Sequence, residues 1–130
     1  GPLKGMWTIP SGYVDPRESV VTSLEREVSE ETAIVGRVGR LVAVRHRMTA
    51  NVNDTFLVFR MDYVSGTPKP DGVEVSDAAF VPFTELASSA ESAPFTTVML
   101  RDGLAARGLG LAPYQPPTPA KPGDAYLLYL

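Results

Sequence analysis

Residues 23–32 read SLEREVSEET and put Glu25, Glu27, Glu30 and Glu31 in one short run around Arg26. Carboxylates are the hard oxygen donors that Mg²⁺ and Mn²⁺ prefer, and they can also accept a proton from attacking water. On a helical wheel, at roughly 100° per residue, Val20, Leu24 and Val28 form an apolar stripe. Glu31 falls roughly 20° to one side of Val20 and Glu27 roughly 20° to the other. Two carboxylates therefore point where the hydrophobic residues point. Glu27, Glu30 and Glu31 also have the i, i+3, i+4 spacing that gathers side chains on one side of a helix. Like charges that close repel unless a cation offsets them. Arg26, four residues before Glu30, can orient that carboxylate by a charge-assisted pair. From periodicity alone, a metal site and a solvated acidic surface weigh equally.

The elements that must position these residues can be read along the chain. Met6-Trp7-Thr8-Ile9 predicts a short strand stopped by Pro10-Ser11-Gly12. Asp15 as N-cap, Pro16 at the first helical position and Glu18 at the third predict a helix running to about Thr32. Residues 38–47 (VGRLVAVRHR) and 54–64 (DTFLVFRMDYV) predict strands joined by the polar turn MTANVN. SGTPKPDG (65–72) must be a loop, and AAFVPF (78–83) reads as a short strand ended by Pro82. A second helix is expected from about Pro94 to Arg107, with Thr96 or Thr97 near its start and Gly108 as its stop. The proline-rich APYQPPTPAKPGD (112–124) predicts an extended segment, and the final AYLLYL is strand-like and strongly apolar. The pattern as a whole predicts a mixed α/β or α+β domain with helices packed on a sheet, occupying residues 1–111, and a tail of 112–130.

The chain has 130 residues, enough for one domain with a real core. A net charge of −3 without a Lys/Arg cluster argues against a nucleic-acid polymer as partner, though not against one nucleotide held through a metal. With no cysteine there is no disulfide framework, thiolate nucleophile or zinc-thiolate site. No apolar run reaches membrane-spanning length and no signal pattern appears, which predicts a soluble, cytoplasmic protein without a membrane partner. Gly1-Pro2 reads either as a protease-cleavage scar or as natural sequence exposed by truncation.

From Gly12 the chain runs GYVDPRESVVTSLEREVSEETAI: Gly12, Glu18, then Arg26-Glu27-Val28-Ser29-Glu30-Glu31-Thr32-Ala33-Ile34. This closely resembles the Nudix box, G-x5-E-x7-R-E-U-x-E-E-x-G-U with U aliphatic; only Ala33, in place of the second glycine, departs from it. MWTIPSG is similar to the family's approach to the box, W-x-x-P-G-G, with Ser11 replacing the first glycine of the pair. VEVSDAAFVPFTEL (73–86) is similar to its later segment, in which an acidic loop precedes an aromatic strand and a short helix. The resemblance covers about residues 5–107.

The resemblance implies an α/β/α sandwich with a mixed sheet and a Mg²⁺- or Mn²⁺-dependent pyrophosphohydrolase acting on a nucleoside diphosphate linked to another moiety. A nucleotide sugar, an ADP-ribose-like compound or a nucleoside triphosphate would be the substrate. It implies that Glu27, Glu30 and Glu31 bind metal, with Glu31 the principal ligand and Glu27 also helping to activate water. Arg26 would orient the glutamates, Glu18 would support that network, and the carbonyl of Ser11 would add a metal contact. Glu74 is the candidate for a further acid from the later loop, with Asp71 and Asp77 behind it. The attack of water on phosphorus needs charge neutralised and the nucleophile held in line, and these parts supply both.

Ala33 must either adopt a left-handed conformation, which costs roughly 1 kcal/mol, or end the helix differently. Family members place one or two strands before the box, and little chain precedes Gly12 here. The missing strands could be absent from this chain, supplied by AYLLYL within one subunit or between two, or replaced by a differently built sheet. Ala50 stands where ADP-ribose-cleaving members carry a proline, and Asn51-Val52 stand where dinucleoside-polyphosphate hydrolases carry a tyrosine, so neither substrate is favoured. Arg45, Arg47 and Arg60 are candidates to reach substrate phosphates, although each reads more readily as a solvated strand residue. His46 reads as structural, and Trp7 as core or site rim. A homodimer is compatible with the apolar tail. The rival reading is a Nudix-fold nucleotide-binding or regulatory module with little turnover.

Overall fold

In the computed structural model, residues 6–91, 93–114, 121–122 and 124–130 are described; Gly1-Pro2 and most of the proline-rich stretch lie outside them. Helix α1 spans Val20–Thr32. It starts later than Asp15-Pro16 predicts, because Ser19 is the cap: its backbone is extended (φ −72°, ψ 162°) and its Oγ accepts the Thr22 N–H at 3.1 Å. Asp15 spends its acceptors on a tight turn, with Oδ1 taking the Arg17 N–H at 2.9 Å and its carbonyl the Glu18 N–H at 3.0 Å. Glu18 consequently stands ahead of the helix rather than in its first turn.

The C-terminus of α1 is where predicted. Ala33 takes the left-handed conformation (φ 62°, ψ 19°), and its N–H reaches the Ser29 carbonyl at 2.9 Å. That reverses the chain into β1 (Val35–Met48), which pairs antiparallel with β2 (Asn53–Ser65). Both strands are longer than predicted. Their register shifts between Val35 and Gly36, between Val38 and Leu41, and again before Ala43. Such bulges bend a ribbon and strengthen its twist. At the irregular stretch around Leu41, that residue also pairs with Leu109, with N–H···O bonds of 2.9 and 2.8 Å, so β1 has neighbours on both edges there.

Beyond β2 the chain turns at Gly66 (φ 106°), where a side chain would collide with the Ala33 carbonyl. The Lys69 N–H then donates to the Thr32 carbonyl at 2.8 Å, tying the following loop to the end of α1. The strand predicted over 78–83 does not form. Pro82 has no N–H to offer a ladder and instead precedes α2 (Phe83–Ala87), while Phe80 packs edge-on against Tyr63 with ring centroids 5.4 Å apart. The second predicted helix is shorter and irregular: α3 covers Pro94–Val98 and passes into a π-helical turn, Met99–Gly103. Arg40 and Arg60 explain why it stops before Arg107. Arg60 donates to the Leu104 and Ala106 carbonyls, and Arg40 to those of Arg107 and Gly108, all at 2.8–3.0 Å. Carbonyls that would continue a helix are captured by guanidinium groups.

The final residues do form a strand. β4 (Leu128–Tyr129) pairs antiparallel with β3 (Leu111–Ala112) in the same chain, and Tyr129 meets Phe59 edge-on at 5.5 Å. Near the N-terminus, the Trp7 N–H donates to Glu91 O at 2.8 Å and Trp7 O accepts from Ala93 N–H at 3.0 Å. One residue bonded to two positions that are two apart is the parallel pattern, so parallel and antiparallel pairing coexist. The class is α/β as expected. Val28 of α1, Ile34, Val58 of β2 and Ala93 ahead of α3 are the buried apolar residues that join its layers. Among the described residues no helix is long and apolar enough to cross a membrane.

Ala33 is the one described non-glycine residue with positive φ. Ala33→Gly is therefore expected to raise unfolding free energy by about 1 kcal/mol, measured by urea denaturation. An unchanged or lowered midpoint would show that the turn is not strained.

Candidate acidic metal site

Three stretches of chain meet at a cleft of about 450 Å³: Ser11, Gly12 and Tyr13 ahead of α1, Glu27, Glu30 and Glu31 on it, and Asp71, Val73 and Glu74 on the later loop. The first stretch is anchored by Ser23, a buried α1 residue whose Oγ donates to the Tyr13 carbonyl at 3.2 Å. Gly12 lies so close to α1 that a Cβ there would come within 2.5 Å of Glu27 Cδ. Here glycine is required by close approach rather than by backbone angle. The third stretch arrives through the Lys69–Thr32 hydrogen bond already described.

Arg26 organises the glutamates. Its Nε and Nη2 donate to the Glu18 carboxylate at 2.8–3.1 Å, and its Nη1 reaches Glu27 Oε1 at 3.1 Å and Glu30 Oε2 at 3.0 Å. The paired arrangement with Glu18 restricts the guanidinium far more than a single contact would. Those hydrogen bonds to Glu18 also hold the guanidinium firmly in its charged form. Glu31 is different. It is 8% exposed, forms no ion pair with Arg26, and faces Glu27, Glu74 and Asp71. Burial first, and then the charges of those three carboxylates, push its pKa from 4.5 up to about 7; a hydrogen bond from the Ser11 backbone opposes the rise.

The inward direction read from the wheel holds for Glu31 and, at 18% side-chain exposure, for Glu27; Glu30 is 59% exposed. Asp77 is not among the cleft residues, and its carboxylate accepts the Ala78 N–H at 2.8 Å. The strand cations are occupied elsewhere. Arg45 stacks between Phe56 and Phe95 at 4.9 and 4.7 Å, and Arg47 and Arg45 both approach Asp54. Arg60 is bound to main-chain carbonyls, and His46 Nε2 is 2.8 Å from Asn53 Oδ1. Sequence reasoning missed Tyr13 and Val73, which flank the acids and are 92% and 88% exposed. The position of Tyr13 immediately after the box glycine was the available signal; Val73 had none.

Among the described residues no ready-made metal-ligating cluster of acidic or histidine side chains is present. The donor set nevertheless fits a hard divalent cation. Carboxylates from α1 and the later loop crowd one cleft with the main chain of Ser11, and Glu31, raised by burial and by the charges of Glu27, Glu74 and Asp71, forms no ion pair with Arg26.

A helix-borne carboxylate cluster beside a glycine turn, packed on an α/β framework, defines a class that comparison with known proteins makes explicit. The NUDIX domain model matches residues 1–102. The chain is similar to the NAD-capped RNA hydrolase NudC of Photobacterium profundum, 31% identical over 101 residues, which cover 78% of this chain and 37% of that protein. It is also similar to the 8-oxo-dGDP phosphatase NUDT18 of Homo sapiens, 32% identical over 83 residues covering 64% of this chain and 26% of that protein. The chain belongs to the Nudix family. It spans well under half the length of these relatives.

A carboxyl whose pKa rises from 4.5 to about 7 on folding binds its proton more tightly in the folded chain. The associated stability is full below about pH 4.5 and is lost as pH rises through 7. In metal-free protein, Glu31→Gln is therefore expected to be more stable than wild type by about 1–3 kcal/mol at pH 8. The advantage should vanish near pH 4.5. Thermal and urea unfolding across that range measure it, and a pH-independent difference would contradict the assignment.

Proposed function

We propose that this chain hydrolyses the pyrophosphate linkage of a nucleoside diphosphate derivative, with Mg²⁺ or Mn²⁺ held by Glu27, Glu30, Glu31 and the carbonyl of Ser11. The observation that supports this best is the placement of Glu31: buried, unpaired with Arg26 and facing Glu27 and Glu74. A buried carboxylate among carboxylates is an unfavourable arrangement for folding alone and a useful one for binding a cation. The bound metal would neutralise phosphate charge and lower the pKa of the attacking water. Glu27, fixed by Arg26 at 3.1 Å and pressed against Gly12, is the candidate to accept the water proton. Glu18 fixes Arg26 in turn through two hydrogen bonds of 2.8 and 2.9 Å.

A NAD cap and 8-oxo-dGDP, named for the two relatives, share a nucleoside diphosphate unit. A cation held in the acidic cleft would suit the diphosphate of that unit, which leaves the attached moiety to be found by assay.

Wild type and Glu31→Gln should be run against nucleotide sugars, ADP-ribose, dinucleotides and nucleoside triphosphates, with and without Mg²⁺. Metal-dependent hydrolysis of at least one class is expected, falling roughly a hundredfold or more in the variant. Binding of nucleotide and metal without turnover of any substrate would favour the regulatory-module reading instead.

A further inference from the structure

The later loop contributes two carboxylates to the cleft, and their surroundings differ. Asp71 Oδ1 accepts three main-chain N–H groups: Val73 at 2.9 Å, Glu74 at 3.1 Å and Val75 at 2.9 Å. The Gly72 N–H closes the same turn by donating to the Val75 carbonyl at 3.2 Å, with Gly72 in the positive-φ region at 76°. Glu74 has its backbone fixed on both sides by these bonds, and no hydrogen bond or ion pair to its carboxylate is present among those described. The loop is anchored upstream by the Lys69–Thr32 bond at the end of α1.

We infer that Asp71 is a positioning residue, whose carboxylate builds the 71–75 turn and thereby presents Glu74 to Glu31 across the cleft. This rests on the metal-site reading above and assigns different tasks to two neighbouring acids. Three amides occupy Asp71 Oδ1 and leave only Oδ2 for a cation, whereas neither oxygen of Glu74 has a hydrogen-bond partner among those described. The three amides hold the Asp71 carboxyl well below its ordinary range, the Val75 bond contributing most, so the acceptor stays charged. Of the two, Glu74 also acts more strongly on Glu31. Outer groups that orient ligands in this way commonly matter about tenfold or more for metal affinity.

The test compares wild type, Asp71→Ala, Asp71→Asn and Glu74→Gln by Mn²⁺ titration and by amide hydrogen exchange at residues 73–75. Asparagine keeps the accepting oxygen and removes the charge. Asp71→Ala is expected to lose protection at those amides and to bind Mn²⁺ roughly tenfold more weakly. Asp71→Asn should recover most of both. Glu74→Gln should weaken Mn²⁺ binding while leaving the amides protected. Equal loss of Mn²⁺ affinity in Asp71→Asn and Asp71→Ala, with the asparagine amides still protected, would make Asp71 a ligand and overturn the inference. Unchanged affinity in Asp71→Ala would overturn it as well. Wild-type protein that takes up no Mn²⁺ would overturn the underlying metal-site reading, a distinct result.

Discussion

The structure is organised around the burial of one carboxylate among others. Glu31 is almost removed from water, and Glu27, Glu74 and Asp71 face it. Near neutral pH this opposes folding, because desolvation and repulsion both penalise the ionised form. The surrounding chain tolerates it through fixed contacts. Arg26 takes up the charge of Glu27 and Glu30, Glu18 fixes Arg26, and α1 is capped at both ends. The charge that remains is concentrated where a cation can enter.

Much of the scaffold serves to bring three sequence-distant stretches to that point. Ser23 lies inside α1 and ties down Tyr13, which sets Gly12 against Glu27. Ala33 turns the chain at the other end of α1 and gives Gly66 a surface to approach. The Lys69 bond to Thr32 lies just beyond that approach and anchors the loop that carries the 71–75 turn. The hairpin β1–β2 supplies the span between Ala33 and Gly66, and its bulges let β1 accept Leu109 on its free edge. Apolar packing across Val28, Ile34, Val58 and Ala93 holds these layers together.

The helix bearing the glutamates was legible because its signals are local: apolar spacing, inward acids and a definite C-terminal stop. The hairpin was legible for similar reasons, since Thr55 to Val64 is dense in branched and aromatic residues. Other features depend on competition between equally good local choices. Asp15 and Ser19 are both strong caps, and only the turn that Asp15 makes with Arg17 and Glu18 decides between them. AAFVPF has strand composition, yet Phe80 finds Tyr63 and Pro82 opens a helix. The early stop of the second helix depends on Arg40 and Arg60, more than forty positions away, which no window of local sequence contains. In the cleft, the box residues were marked by their resemblance to the family's motif, spacing alone leaving a solvated surface equally open, whereas Val73 and the separate surroundings of Asp71 and Glu74 required the fold of the loop.

Paramagnetic broadening by Mn²⁺ is the most direct measurement of the central claim, that these carboxylates form a cation site. Substoichiometric Mn²⁺ would be added to isotope-labelled protein and the amide resonances followed. The account predicts broadening centred on residues 11–13, 27–31 and 71–75, reversed by excess Mg²⁺. Broadening centred on exposed acids elsewhere, such as Glu85, Glu91 or Asp102, with the α1 glutamates unaffected, would contradict it.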